Sequence, residues 1–261
     1  MYKGKKITCV IPARLASQRF PEKMLATLAQ RPLLAWVWDA AKKVSLFDDV
    51  VFAVDDEKIA AVIHRFGGNV LMTSPECASG TDRLVELFIS KKITGDVFVN
   101  WQGDEPFILP DMISTLLQTI DIPGQEIWTL RTRIHNPADI SARNIAKVVC
   151  DQKNRALCFS RSPIPCVRDA QDSAGAFAQT SYYKHVGLYA FTGNALASIA
   201  TMHESFLESA EKLEMLRWLD NGISVYVHET QREVFGIDTT SDLEKAELYV
   251  QSGFKVSDVY Q

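Results

Sequence analysis

Three short segments of this 261-residue chain hold side chains that could act on a phosphorylated ligand. In "PARLASQRFPEK", Arg14, Arg19 and Lys23 stand close together with Ser17 among them. Guanidinium and ammonium groups on a loop that directly follows a strand can hold a polyphosphate. The loop is not a Walker loop, because G-x-x-x-x-G-K-[ST] is absent. In "QGDEP", Asp104 and Glu105 offer the hard oxygen ligands that Mg²⁺ prefers, and Mg²⁺ usually takes only one or two carboxylates beside phosphate oxygens. "GIDTTSD", around Asp238, is a weaker copy of the same kind. Taken singly, each has a plain alternative: a solvated basic turn for the first, a helix-capping loop for the other two. Further on, "SRSPIP" places Arg161 at a strand end. "KHVGLY" places His185 and Tyr189 an even number of residues apart, hence on one strand face. No Ser-His-Asp or Cys-His spacing and no H-E-x-x-H is present, so hydrolytic and zinc-protease chemistry finds no support.

The elements that must carry these segments follow from hydrophobic periodicity. "KITCVIPA", "DVVFAV", "NVLMT" and "DVFVNW" are expected as strands. "RPLLAWVWDAAKKV", "DDEKIAAVIHRFGG", "SGTDRLVELFISKK" and "LPDMISTLLQTI" are expected as helices. Leu34, Val37, Trp38 and Ala41 share one face of the first helix, and Gly67 stops the second. Alternating strands and helices joined by short connections imply an α/β fold with a mostly parallel sheet and helices on both faces. Ligands in such sheets sit beyond the carboxyl ends of the strands, where "RLASQRFPEK", "SPECASGTDR" and "QGDEP" all fall.

Beyond about residue 125 the alternation loosens into strand-like runs: "EIWTLRTRI", "IAKVVCD", "ALCFSRS", "YKHVGLYAF" and "ISVYVHE". "CVRDAQDSAGAFAQTSYY" is expected as a long exposed loop and "ESAEKLEMLRWLDNG" as one amphipathic helix. "SDLEKAELYVQSG" opens with Ser241-x-x-Glu244, a capping-box pattern. No repeat, low-complexity tract or linker stands out, so one domain over residues 1–261 is expected. The net charge of −4 gives no general pull towards nucleic acid or an anionic membrane. No apolar run is long enough to cross a bilayer and the N-terminus does not read as a signal peptide, so a cytoplasmic address is expected. Five cysteines with no C-x-x-C suggest reduced thiols rather than a disulfide framework.

Together, "IPARLASQRFPEKML", "SGTDR", "NWQGDEP", "CFSRSPIP", "KHVGLY", "EKLEMLR" and "GIDTTSD" resemble the CMP-Kdo synthetase (3-deoxy-manno-octulosonate cytidylyltransferase) family, in the same order, from about Ile7 to Glu247. The resemblance implies a Rossmann-like nucleotide-diphospho-sugar transferase fold related to GT-A enzymes. It implies transfer of CMP from CTP to Kdo with release of pyrophosphate, for lipopolysaccharide synthesis. By similarity, Arg14, Ser17, Arg19 and Lys23 face the CTP phosphates, and Ser79, Gly80 and Arg83 help enclose the cytosine. The resemblance also implies that Asp104 and Asp238 hold Mg²⁺. Gln102, Arg161, His185, Tyr189, and Glu211 or Glu214 surround the sugar acid. On the same resemblance, Lys23, Arg14 and the two aspartates are expected to form the catalytic set. A homodimer is implied, with a dimerisation and sugar-binding region around residues 145–195.

Four positions depart from the family pattern. Glu22 stands where Gly is usual, Trp101 where a smaller apolar residue is usual, Met215 where Gln is common and Thr240 where Pro is common. Met215 leaves open a different sugar acid, such as 8-amino-Kdo or a nonulosonic acid. Glu22 leaves open a nucleotide-binding homologue without catalysis, since a carboxylate beside triphosphate is unfavourable unless it points away.

Overall fold

In the computed structural model, which describes residues 1–17, 19–232 and 235–253, the first four apolar runs are parallel strands. Their order is Val97–Asn100, Ile7–Ala13, Asp49–Val54, Val70–Met72. The central strand, Ile7–Ala13, is buried along its whole length, as an uninterrupted apolar run in a doubly covered parallel sheet should be. Helices Leu33–Lys43, Glu57–Arg65 and Gly80–Ile89 follow the strands as expected. Leu34, Val37, Trp38 and Ala41 all face inward. Gly67, at φ +78°, follows the second helix in the left-handed geometry that favours glycine. Parallel pairing puts every carboxyl end of this sheet on one edge, so the three polar segments share that rim.

The backbone contacts divide the chain into two compact units, Met1–Ser114 with Val234–Gln261, and Thr115–Glu233. In the first, the Thr240–Gln251 helix returns to a cluster of Leu28, Leu33, Trp36, Phe107, Ile237 and Ala246. Among its described residues the second contains five strands: Ile127–Arg133, Lys147–Cys150, Ala156–Ser160, Tyr183–Thr192 and Val225–Glu229. Ile127–Arg133 pairs antiparallel with Tyr183–Thr192 and parallel with Val225–Glu229.

Three expectations are corrected. The segment expected as a long loop contains a helix, Ser173–Gln179. Its Ala176 packs with Ile134, Ile140 and Tyr182, a small core too sparse in large aliphatics to show as a periodic pattern. The single helix expected over "ESAEKLEMLRWLDNG" is two, Phe206–Glu211 and Met215–Asp220. Lys212 between them adopts φ +52°, and Glu211 is held by hydrogen bonds to the Ser160–Arg161 segment. The final capping box is Thr239 with Asp242, not Ser241 with Glu244. Both patterns fit the spacing rule, and the tertiary position of Asp238 selects the earlier one.

Candidate active site

The rim of the first unit is organised around Lys23. Its side chain is almost fully buried, and its Nζ donates to Asp104 Oδ2 at 2.5 Å and Asp238 Oδ1 at 2.9 Å. Arg19 Nη2 lies 3.0 Å from the same Asp238 oxygen. Local structure brings these distant residues together. Ile237 N–H donates to Asp104 O at 2.9 Å, which carries Asp238 alongside Asp104. Asp242 then fixes the turn by accepting from Asp238 N–H and Thr239 N–H. Burial alone would lower the Lys23 pKa, but Asp104 and Asp238 outweigh it and hold the ammonium above its ordinary value. Burial would raise Asp238, but Lys23 and Arg19 keep it below the ordinary carboxylate range.

The "QGDEP" turn is shaped from both sides. A Cβ on Gly103 would lie 2.9 Å from the Pro12 carbonyl, so this close approach to the end of the Ile7–Ala13 strand admits only glycine. Trp101, one of the departures, is fully buried, and its Nε1–H donates to Glu105 O at 2.9 Å, pinning the turn that presents Asp104. Glu105 itself turns inward. Its Oε2 is shut off from solvent and has no hydrogen-bond partner among the described residues. Burial, then the charges of Asp104 and Asp238, push its pKa up to about 8, with Lys23 offsetting only part.

The "SGTDR" segment closes the rim beside them. Ser79 caps the Gly80–Ile89 helix in a capping box with Asp82, and Arg14 Nη1 donates to Ala78 O at 3.3 Å. Gly80 sits so close to Gln102 that a Cβ would come within 2.9 Å of Gln102 Oε1. Arg83 is 2% exposed; it donates to Asp55 Oδ2 at 2.7 Å, to Thr73 Oγ1 and to Ser74 O. It therefore holds the rim loop from within. Asp55, which also accepts from Leu15 N–H at 2.9 Å, joins two rim loops. It was missed because an acid opening a helix already explains "DDEK". Ser17 is half-buried on the basic loop.

The residues similarity assigns to the sugar acid, Gln102 apart, lie in the second unit and form two groups. Arg161 and Glu211 belong to one. Glu211 accepts from Ser160 Oγ and Arg161 N–H, while Arg161 donates through Nε, Nη1 and Nη2 to the carbonyls of Glu211, Arg143 and Lys212. Arg161 thus clamps the break between the two short helices and keeps its remaining N–H groups for another partner. Lys147, fully buried and missed by the sequence reading, donates to the carbonyls of Ala142, Ile145 and Arg161. Burial would raise Glu211, but the Ser160 and Arg161 hydrogen bonds and the nearby cations hold it below its ordinary value. His185 and Tyr189 form the other group, ring centroids 5.3 Å apart. The register shift between Val186 and Tyr189 inserts two residues, an even number, so both stay on one face. Glu214 stands directly before the Met215–Asp220 helix, whose Met215 is buried.

The first unit's donor set suits Mg²⁺. Asp104 and Asp238, from separate segments, both aim a carboxylate oxygen at one cationic centre, a two-carboxylate pocket of hard oxygens. Among the described residues no cluster of three or more His, Cys, Asp or Glu could hold a metal ion by itself. Glu22 does not intrude. It adopts φ +52°, the left-handed geometry that explains glycine at this position, and its carboxylate points to Lys58 Nζ at 3.5 Å. Thr240 occupies the first helical position after the Thr239 cap, where proline's fixed φ is also suited.

A parallel α/β sheet with a basic loop and paired aspartates on its carboxyl edge defines the nucleotidyltransferase class. The cytidylyltransferase family model matches residues 8–247. The 3-deoxy-manno-octulosonate cytidylyltransferase of Trichlorobacter lovleyi is 43% identical over 95% of this chain and 100% of its own length. That of Geobacter sulfurreducens is 43% identical over 92% and 97%. A solved structure of CMP:2-keto-3-deoxy-manno-octonic acid synthetase complexed with CTP superposes with a TM-score of 0.87 at 36% identity, covering 95% of this chain and 100% of that one. The chain belongs to the cytidylyltransferase family, among the 3-deoxy-manno-octulosonate cytidylyltransferases. The 4-diphosphocytidyl-2C-methyl-D-erythritol synthase of Anaerococcus prevotii, 13% identical with a TM-score of 0.61 over 95% and 97% of the two chains, shares the fold.

Proposed function

We propose that this chain transfers CMP from CTP to the anomeric hydroxyl of 3-deoxy-D-manno-octulosonate, releasing pyrophosphate, as a Mg²⁺-dependent step of lipopolysaccharide biosynthesis. The observation that carries the reading is the convergence of Lys23 and Arg19 on Asp104 and Asp238 at the carboxyl rim, in a chain 43% identical to enzymes named for this reaction.

Arg14, Ser17, Arg19 and Lys23 would bind the triphosphate, and Lys23 would face the charge that builds on the departing pyrophosphate. Ser79 and Gly80 would border the cytosine, with Arg83 fixing their loop through Asp55. Gln102, His185, Tyr189 and Glu211 or Glu214 would position the sugar, and Arg161 would pair its free N–H groups with the sugar carboxylate. Asp104 and Asp238 would hold Mg²⁺, which when bound lowers the pKa of a coordinated hydroxyl and neutralises phosphate charge. No side chain is assigned as a dedicated base. We also propose a homodimer, with the region around residues 145–195 at its contact, and a cytoplasmic setting. No helix among the described residues is long and apolar enough to span a membrane.

The test is pyrophosphate release with CTP, Mg²⁺ and Kdo, 8-amino-Kdo, sialic acid or no sugar. Release with Kdo is expected, and Asp104→Asn should abolish it. Release only with another acid would move the substrate. CTP binding without release would favour a binding protein. Near-normal turnover by Asp104→Asn would remove that residue from the metal site.

A further inference from the structure

Thr129 is completely buried on the Ile127–Arg133 strand. Its Oγ1 has three close neighbours: His185 Nε2 at 2.9 Å, Leu188 O at 2.9 Å and Val186 O at 3.2 Å. The two carbonyls converge on it because the Tyr183–Thr192 strand bulges between Val186 and Tyr189. A hydroxyl has one proton and two acceptor sites, whereas carbonyls only accept. Were the proton aimed at Nε2, Oγ1 would face two carbonyl oxygens with nothing between, in a place without water to relieve the repulsion. The hydroxyl proton therefore goes to the carbonyls, and Oγ1 is left to accept from Nε2–H. In a neutral imidazole with its proton on Nε2, Nδ1 is an acceptor. No protein group among the described residues donates to it, while Phe159, edge-on at 5.2 Å, and Tyr189, at 5.3 Å, hold the ring in place. Burial supports the neutral form, drawing the His185 pKa down to about 3.

We propose that Thr129 is a positioning residue that fixes His185 in its Nε2–H tautomer, so that Nδ1 accepts a hydrogen bond from a hydroxyl of the sugar acid. The inference rests on the functional reading above and deepens it. It makes His185 a group that selects ligands carrying a donor at that point and gains nothing from an ether or bare carbon there.

Nitrogen-15 NMR of the full-length, ligand-free chain at neutral pH tests the tautomer without turnover. Nε2 should be protonated and Nδ1 bare, and Kdo added with CTP should shift the Nδ1 resonance while CTP alone leaves it in place. Kinetically, Thr129→Val should raise the KM for the sugar acid about tenfold with the KM for CTP unchanged, and Thr129→Ser, which keeps the hydroxyl, should restore most of the loss. A proton on Nδ1, a charged ring, or a sugar-acid KM within twofold of wild type in Thr129→Val would overturn the proposal. So would a parallel rise in both KM values. Wild-type silence with every sugar acid would overturn the functional reading, and this use of Nδ1 with it, whatever the tautomer. The wild-type NMR measurement decides the tautomer even if the valine variant does not fold.

Discussion

Lys23→Met separates two roles that the lysine combines. Its ammonium occupies the space between Asp104 and Asp238, at 2.5 and 2.9 Å. At about 3 Å and an effective dielectric of about 20, each contact represents roughly 5 kcal/mol of gross attraction. Desolvation of Lys23 and the 45% exposure of the Asp238 side chain remove most of that. If about 1.4 kcal/mol survives, a divalent cation entering the nucleotide-free pocket must overcome it, and removing the ammonium should tighten cation binding about tenfold. Turnover should move the other way. Loss of one donor facing charge that develops in the transition state costs about 10² to 10³ in kcat. The assay is Mn²⁺ binding to the nucleotide-free protein followed by electron paramagnetic resonance, paired with pyrophosphate release and a thermal melt that confirms folding. Mn²⁺ binding that is unchanged or weaker in Lys23→Met would refute the shared pocket. Unimpaired turnover would refute the role of Lys23 towards the phosphates.

Three further outcomes are expected. Glu22→Gly relieves a left-handed residue and gives up only an exposed contact with Lys58, so it should keep activity and raise stability by roughly 0.5–1 kcal/mol in urea titration. Arg83→Met strands Asp55 in a buried pair whose side chains are 2% and 8% exposed. It should cost about 3–5 kcal/mol in the same assay, with Arg83→Met/Asp55→Leu recovering part. His228 is buried against Thr119, and burial lowers its pKa from 6.5 to about 4. Because the folded value lies below the unfolded one, the unfolded chain takes up the proton first. Stability should be at its full value above about pH 6.5 and fall as pH drops towards about 4. His185 adds a loss of the same sign, and His228→Gln should flatten the urea midpoint between about pH 6.5 and 5 relative to wild type.

Much of this site was legible in the chain because its causes are local. Strand-helix alternation places "RLASQRFPEK", "SPECASGTDR" and "QGDEP" beyond strand ends, and parallel pairing sends those ends to one edge. Where two local readings were equally good, tertiary contacts chose. The amphipathic stretch 208–222, expected as one helix, breaks at Lys212, beside a Glu211 bonded to Ser160 and Arg161. Thr239 takes the cap because Asp242 must also hold Asp238.

Residue type and spacing along the chain determined which groups could bind phosphate and a hard cation, since charge and periodicity are properties of short segments. The meeting of Lys23 with Asp104 and Asp238, the inward turn of Glu105 and Arg83, and the hydroxyl that orients His185 were decided by the tertiary structure alone. Apart from Glu105, whose inward Oε2 has no hydrogen-bond partner among the described residues, those are pairings between residues far apart in the chain, down to 2.5 Å. No local pattern encodes them, because burial and competition for each proton arise only when the separate segments are packed together.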